Sequence, residues 1–329
     1  MKQRILTGIK PTGLPHIGNY FGAIKPALTY PKETQRYMFI ADYHALTTIQ
    51  NNNDIRQHTY EVAAAWLALG LDPNQTIFYK QSDIPEIFEL MWILSCVTPK
   101  GLLNRAHAYK AATDANKRAN KDLDYNINAG IFNYPVLMAA DILLFHATHV
   151  PVGSDQKQHI EIARDIATSL NNICNTNLTL PEPLIEPNLS TIPGIDGQKM
   201  SKSYNNTIPI FATEKQLRKR CMQIITDSTP QEAPKNPDAC NIFSLHSLFL
   251  SDEEQTALRA RYQAGNIGYG TLKQDLFETL ITTFKTARNQ YDVLINNPKQ
   301  IDEYLEKGAQ EARQHAQKTL IHIKNELGA

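Results

Sequence analysis

Apolar residues in the first two-thirds of the chain alternate between short unbroken runs and longer periodic stretches, and beyond about residue 205 only periodic stretches remain. The short runs are Arg4-Ile5-Leu6-Thr7, Arg36 to Asp42, Thr76 to Lys80 and Val150-Pro151-Val152, each bounded by polar or turn-forming residues. Such runs predict buried strands. Between them the spacing predicts helices over Phe21 to Tyr30, interrupted by Pro26, over Asp54 to Leu69, opened by Asn and Asp and closed by Gly70, and over Ile84 to Val97. Val136 to Leu144 forms the apolar centre of a further helix. Strand and helix in alternation predict an α/β fold with a doubly wound, parallel, Rossmann-like sheet. Downstream, Thr213 to Ile225, a capping box at Ser251-Asp252-Glu253-Glu254, Thr271 to Asn289 and Lys299 to Leu327 predict an all-helical C-terminal domain. The expected division is a sheet domain over 1–205, with a helical, charge-dense insertion around 84–130, and a helical domain over 206–329.

Composition narrows the classes without choosing among them. The 329 residues are 42% hydrophobic and 20% charged, ordinary for a globular chain, and Lys+Arg balance Asp+Glu at 33 each. No global basicity advertises nucleic acid, although local patches rather than totals bind phosphates. Cys96, Cys174, Cys221 and Cys240 lie far apart, which argues against a metal cluster or disulfide framework and for reduced thiols. The first strand begins within a few residues of the start, leaving no room for a targeting peptide, and the apolar stretch Pro135 to Val152 is broken by Asp141, His146 and His149. A cytoplasmic protein with no membrane segment is expected.

The first candidate chemistry follows the first strand, in Gly8-Ile9-Lys10-Pro11-Thr12-Gly13-Leu14-Pro15-His16-Ile17-Gly18-Asn19-Tyr20. A glycine-punctuated turn leading into a helix presents free N–H groups and the positive end of a dipole, which suits an anion. His16 can donate a hydrogen bond to a phosphate, more strongly if protonated. Any βα unit needing a glycine turn shares this pattern, so a second stretch matters. Gly194-Ile195-Asp196-Gly197-Gln198-Lys199-Met200-Ser201-Lys202-Ser203 places two lysines in a glycine-hinged loop, able to clamp phosphates and neutralise a departing pyrophosphate.

Together the two stretches resemble the two signature sequences of class I aminoacyl-tRNA synthetases. Pro15-His16-Ile17-Gly18-Asn19 resembles the first, with Asn19 where many members have a second His, and Lys199-Met200-Ser201-Lys202-Ser203 matches the second throughout. The Asn variant is typical of the tryptophanyl members of bacterial type, and the likeness covers nearly the whole chain.

Asp141 sits in Val136-Leu137-Met138-Ala139-Ala140-Asp141-Ile142, among apolar residues. A buried carboxylate needs donors, either from an internal Arg or backbone group or from a ligand. The resemblance implies that this acid accepts the indole N–H of tryptophan, with Met138 packing on the ring, Tyr134 and Gln156 meeting the amino group, and His44 at the same site. His44, just past the second strand, otherwise reads as a satisfied structural histidine. For ATP the resemblance implies Lys10, Pro11, Thr12, Gly18 and Asn19 in the first turn, Gly153, Ser154 and Asp155 in the strand-turn-helix beginning at Val150, Ile192 beside adenine, and Lys199, Met200, Ser201, Lys202 and Ser203 in the basic loop. Family members commonly carry Glu where this chain has Ser154, so a backbone contact there survives and a side-chain role does not. His16, Lys199 and Lys202 are the expected catalytic residues. Mg²⁺ is expected to arrive with ATP, with no protein-bound structural metal.

The implied activity joins L-tryptophan to the 3′ end of tRNA(Trp) through tryptophanyl-adenylate, in a homodimer, with the 206–329 region reading the anticodon. Lys215, Arg218, Lys219 and Arg220 crowd one predicted helix and suit RNA phosphates or simply solvent. The competing readings are a tyrosine-specific relative, a small-molecule nucleotidyltransferase without an RNA partner, and a non-catalytic RNA-binding paralogue.

Overall fold

A computed structural model describes residues 3–31, 33–49, 51–153, 156–185 and 192–329. Five parallel strands form one sheet, β1 (Arg4–Ile9), β2 (Gln35–Ile40), β3 (Ile77–Lys80), β4 (His149–Pro151) and β5 (Glu182–Leu184), in the order β3-β2-β1-β4-β5. The β1–β2 ladder runs from Arg4 opposite Gln35 to Ile9 opposite Ile40, while β1 meets β4 with Ile5 opposite His149. The order therefore reverses at β1, and the crevice beyond its carboxyl end lies between the two halves of the sheet, where α/β folds bind ligands. Four of these strands lie where the apolar runs placed them, within one or two residues. β5 is short and lies at the sheet edge with a proline at its centre, so it carries no apolar run and escaped the sequence pattern.

The helix after the first turn starts earlier than its apolar spacing indicated. It opens at Ile17–Asn19, widens to π-helical turns over Tyr20–Ile24 and finishes over Lys25–Leu28. The change of pitch comes just ahead of Pro26, which has no N–H to give to the preceding turn. The insertion folds as helices Pro85–Val97, Lys100–Asn104 and His107–Arg118, followed by exposed turns up to the helix Ala129–Leu143. That helix continues through Pro135, and its buried face includes Val136, Ala139, Ala140 and Asp141.

Beyond residue 205 the described elements are helical, with Tyr269–Ile295 and Pro298–Leu327 the longest. Ser251 and Glu254 form the reciprocal cap expected of their spacing, with Ser251 N donating to Glu254 Oε2 at 2.8 Å. The final helix returns to the sheet. At Gly308 a Cβ would collide with the Phe78 carbonyl oxygen, so glycine lets helix and β3 backbones touch. Farther along, His315 Nδ1 lies 2.8 Å from the Tyr37 hydroxyl, and Arg313 and Gln317 both donate to the buried Glu86. Both apolar clusters run across residue 205, one linking Ile17 and Trp66 to Leu276 and Leu305, the other linking Leu6 and Val136 to Ala312 and Ile323.

Candidate active site

The turn after β1 is shaped by its caps. Gly13 takes φ of +104°, a backbone region that side chains rarely adopt. His16 caps the following helix, its Nδ1 accepting from Asn19 N at 3.3 Å, while Asn19 Oδ1 accepts from His16 N at 3.1 Å. Because Nδ1 is the acceptor, the ring proton resides on Nε2. Burial, with the nearby Lys202 charge adding to it, holds the His16 pKa down at about 4. The neutral imidazole is thus a fixed single donor at neutral pH, which replaces the protonated donor that the sequence left open.

The basic loop folds onto this turn. Lys202 Nζ donates to Gly13 O at 2.7 Å and lies 3.5 Å from Thr12 Oγ1, and Met200 Sδ accepts from Gly18 N at 3.4 Å. Asn206 organises the loop, donating to Asp196 Oδ1 at 2.8 Å and to Lys199 O at 3.0 Å while its Oδ1 accepts from Ser201 N at 2.7 Å. The strap that follows ties both segments together, since Ile17 N donates to Ile208 O and Ile210 N to Pro15 O. Thr12, His16, Gly18, Asn19, Gly153, Ile192, Lys199, Met200, Ser201 and Lys202 therefore surround one cavity of about 370 Å³. Two segments separated by nearly two hundred positions converge as their chemistry required. Burial brings the Lys202 pKa down to about 8, against the pull of Glu61.

A second cavity, of about 500 Å³, adjoins the first through shared Asn19 and Gly153. Its walls include Asp141, Tyr134, Met138, Gln156 and His44, all five residues expected around tryptophan. Asp141 is 1% exposed. Among the described residues its partners are neither an Arg nor the backbone. Gln81 Nε2 donates to Oδ1 at 2.8 Å and to Oδ2 at 2.9 Å, and His44 Nε2 lies 3.0 Å from Oδ2. Burial raises the Asp141 pKa, and the bonds from His44 and Gln81 oppose that rise. Gln81 was missed in the sequence. The available signal was a polar residue immediately past the end of β3, the same strand-end position that flagged His44.

The other expected residues divide. Lys10 belongs to the second cavity, its Nζ 4.5 Å from the Tyr134 ring centroid and its pKa lowered by burial. Pro11 is buried and borders neither cavity, and Ser203 bonds to Ser201 Oγ at 2.7 Å outside the cavity wall. Ser154 and Asp155 lie outside the described residues. In the basic helix, Arg218 bonds to Gln274 and Arg220 to Asn205, so that part of the cluster is spent on internal partners.

Comparison with known proteins agrees with this geometry. The family model described as tRNA synthetases class I (W and Y) matches residues 1–285. Tryptophan--tRNA ligase of Campylobacter jejuni strain RM1221 is 47% identical over 325 residues, covering 99% of each chain. The Pseudomonas aeruginosa tryptophan--tRNA ligase is also 47% identical, across 100% of this chain and 74% of its own. A crystal structure of the Campylobacter jejuni tryptophanyl-tRNA synthetase complexed with ADP and tryptophan superposes with TM-score 0.91, covering 99% of this chain and 100% of that one. The Mycoplasma pneumoniae tryptophanyl-tRNA synthetase, 26% identical, superposes with TM-score 0.81 across 100% and 98% of the two chains. With its sheet, both signature segments and its full-length relatives in accord, the chain belongs to the class I tRNA synthetases, among the ATP-dependent tryptophan–tRNA ligases.

Proposed function

We propose that the two joined cavities hold tryptophan and ATP end to end, with the amino acid's carboxylate facing the α-phosphorus. The observation that carries this reading is a buried acceptor, Asp141, in one cavity and the His16 and Lys202 side chains in the other, the two cavities sharing Asn19 and Gly153. Indole offers one donor and no acceptor, so a carboxylate fixed at the cavity floor selects it and rejects a phenyl ring. Met138 packs on the ring, with Tyr134 and Gln156 at the ammonium end.

The carboxylate attacks the α-phosphorus, the bond to the β-phosphate oxygen breaks, and pyrophosphate leaves. His16 donates its Nε2–H to a phosphate oxygen, Gly18 offers its N–H, and Lys199 and Lys202 neutralise the departing charge. Met200 accepts from the Gly18 N–H and Lys202 donates to Gly13 O, and phosphate oxygens would take the place of these partners when the loop closes on the nucleotide. Ile192 borders the adenine side, and Gly153 the ribose. Mg²⁺ accompanying ATP would be held mostly by the phosphates and its water shell. Its chemistry is to neutralise charge on the triphosphate. Rate enhancement then comes from positioning and preorganised charge, without a covalent enzyme intermediate.

The adenylate passes tryptophan to the terminal ribose of tRNA(Trp), with the 84–130 insertion near the acceptor end and the helices beyond 206 near the anticodon. Trp92, 73% exposed on the Pro85–Val97 helix, supports a homodimer through the insertion, and sedimentation at twice the chain mass is expected. No described helix is long and apolar enough to cross a membrane.

Pyrophosphate exchange with tryptophan and tyrosine side by side tests the reading. Exchange with tryptophan alone is expected, and Asp141→Ala should raise the KM for tryptophan about tenfold or more while ATP affinity stays near wild type. Equal exchange with both amino acids, or a variant that loses ATP instead, refutes it.

A further inference from the structure

The residue that fixes Asp141 is one no signature contains. Gln81 is fully buried at the exit of β3, and its side chain is held at both ends. Its Oε1 accepts from the His44 backbone N–H at 3.2 Å, which turns the NH₂ group toward Asp141, where one nitrogen bridges both carboxylate oxygens. The bonds on Asp141 can then be counted. A carboxylate has about four lone-pair directions. Gln81 occupies one on each oxygen and His44 Nε2 a second on Oδ2, which leaves a single open direction, on Oδ1. An indole ring presents a single N–H.

We propose that Gln81 is a positioning residue for tryptophan recognition: it orients Asp141 and keeps it an acceptor with room for one donor. This rests on the reading of Asp141 as the indole partner. The bridging amide also acts against burial, which alone would favour a protonated acid, and a protonated Asp141 has an O–H where an acceptor is needed. The charged and titratable groups around Asp141 are His44 and Asp42 from the Asp42–Ala45 turn, Tyr79 on β3, and Lys10 across the cavity. Asp42 raises the Asp141 pKa and His44 lowers it. Both remain in a Gln81 variant, so the change observed belongs to the amide.

The test uses the full-length enzyme with Gln81→Met, of similar shape without the donor, and Gln81→Glu, which sets a second carboxylate against the first. Steady-state pyrophosphate exchange is measured against tryptophan and against ATP across pH. In Gln81→Met the KM for tryptophan should rise about tenfold or more, with the KM for ATP within about twofold of wild type. The sign follows from the lost donor. Without it the Asp141 pKa moves further up, so the acidic rise in tryptophan KM should begin at higher pH than in wild type, and at higher pH still in Gln81→Glu. An unchanged tryptophan KM overturns the proposal. So does parallel damage to both substrates with no movement of the pH midpoint, the mark of a merely structural residue. Asp141→Asn separates the two levels of inference. If it leaves tryptophan KM untouched, the indole assignment falls and the proposal with it, whereas a large effect there with none in the Gln81 variants removes only the positioning role.

Discussion

Replacing Lys202 with Met removes a cation that is kept buried at a cost, and the cost can be read by titration. Burial brings this lysine from the usual 10.5 to about 8, with Glu61 opposing the fall. Below about pH 7 folded and unfolded chains both carry the proton, and the penalty is present in full. Between the two values the unfolded chain binds the extra proton and the folded chain does not, so the wild type's stability rises with pH relative to the variant. The full gap is worth about 3 kcal/mol, of which roughly 2 is recovered by about pH 9.5. Urea unfolding of both proteins at about pH 7 and pH 9.5 should show the wild type gaining about 2 kcal/mol over Lys202→Met. Parallel stabilities at the two values would refute the claim that Lys202 is a charged, poorly solvated group at neutral pH. In the same variant kcat for exchange should fall about 100- to 1000-fold, the effect of removing one preorganised charge from a phosphate-transfer site.

Two further expectations test the turn and the fold. His16 is neutral well above its value of about 4, so the pH profile for ATP should carry no acidic limb from it in the neutral range. His16→Ala should lower kcat about 100-fold, and a limb near the ordinary histidine pKa that vanishes with His16 would sink the tautomer argument. Gly308→Ala must force the last helix off β3 and should cost about 3 kcal/mol or more, read as a lowered Tm. A Tm equal to wild type's would show that the close contact with Phe78 O does not exist.

What the sequence determined by itself is chiefly local. Apolar runs marked β1 to β4 because a strand buried on both faces has no polar residue to spare, and Ser251 with Glu254 marked a helix start because the cap forms within four residues. The two signature segments pointed to phosphate chemistry only as a pair, since a glycine turn or a lysine pair alone fits an ordinary βα turn or a solvated loop. β5 stayed hidden because an edge strand of three residues with a central proline has no pattern of its own.

Only the tertiary structure decided how those groups act. The His16 tautomer depends on which nitrogen Asn19 occupies, and its neutrality on burial beneath Lys202. Lys10 lines the cavity that holds Asp141 and not the one that holds Lys202, because β1 ends there, over Tyr134. The partners of Asp141 come from turns sixty and ninety-seven positions away, and neither Gln81 nor His44 announces a carboxylate in its own neighbourhood. Local sequence sets conformations that close within a few residues. Contacts between distant strand ends depend on which strands neighbour each other, and that order is set by the packing of the whole core.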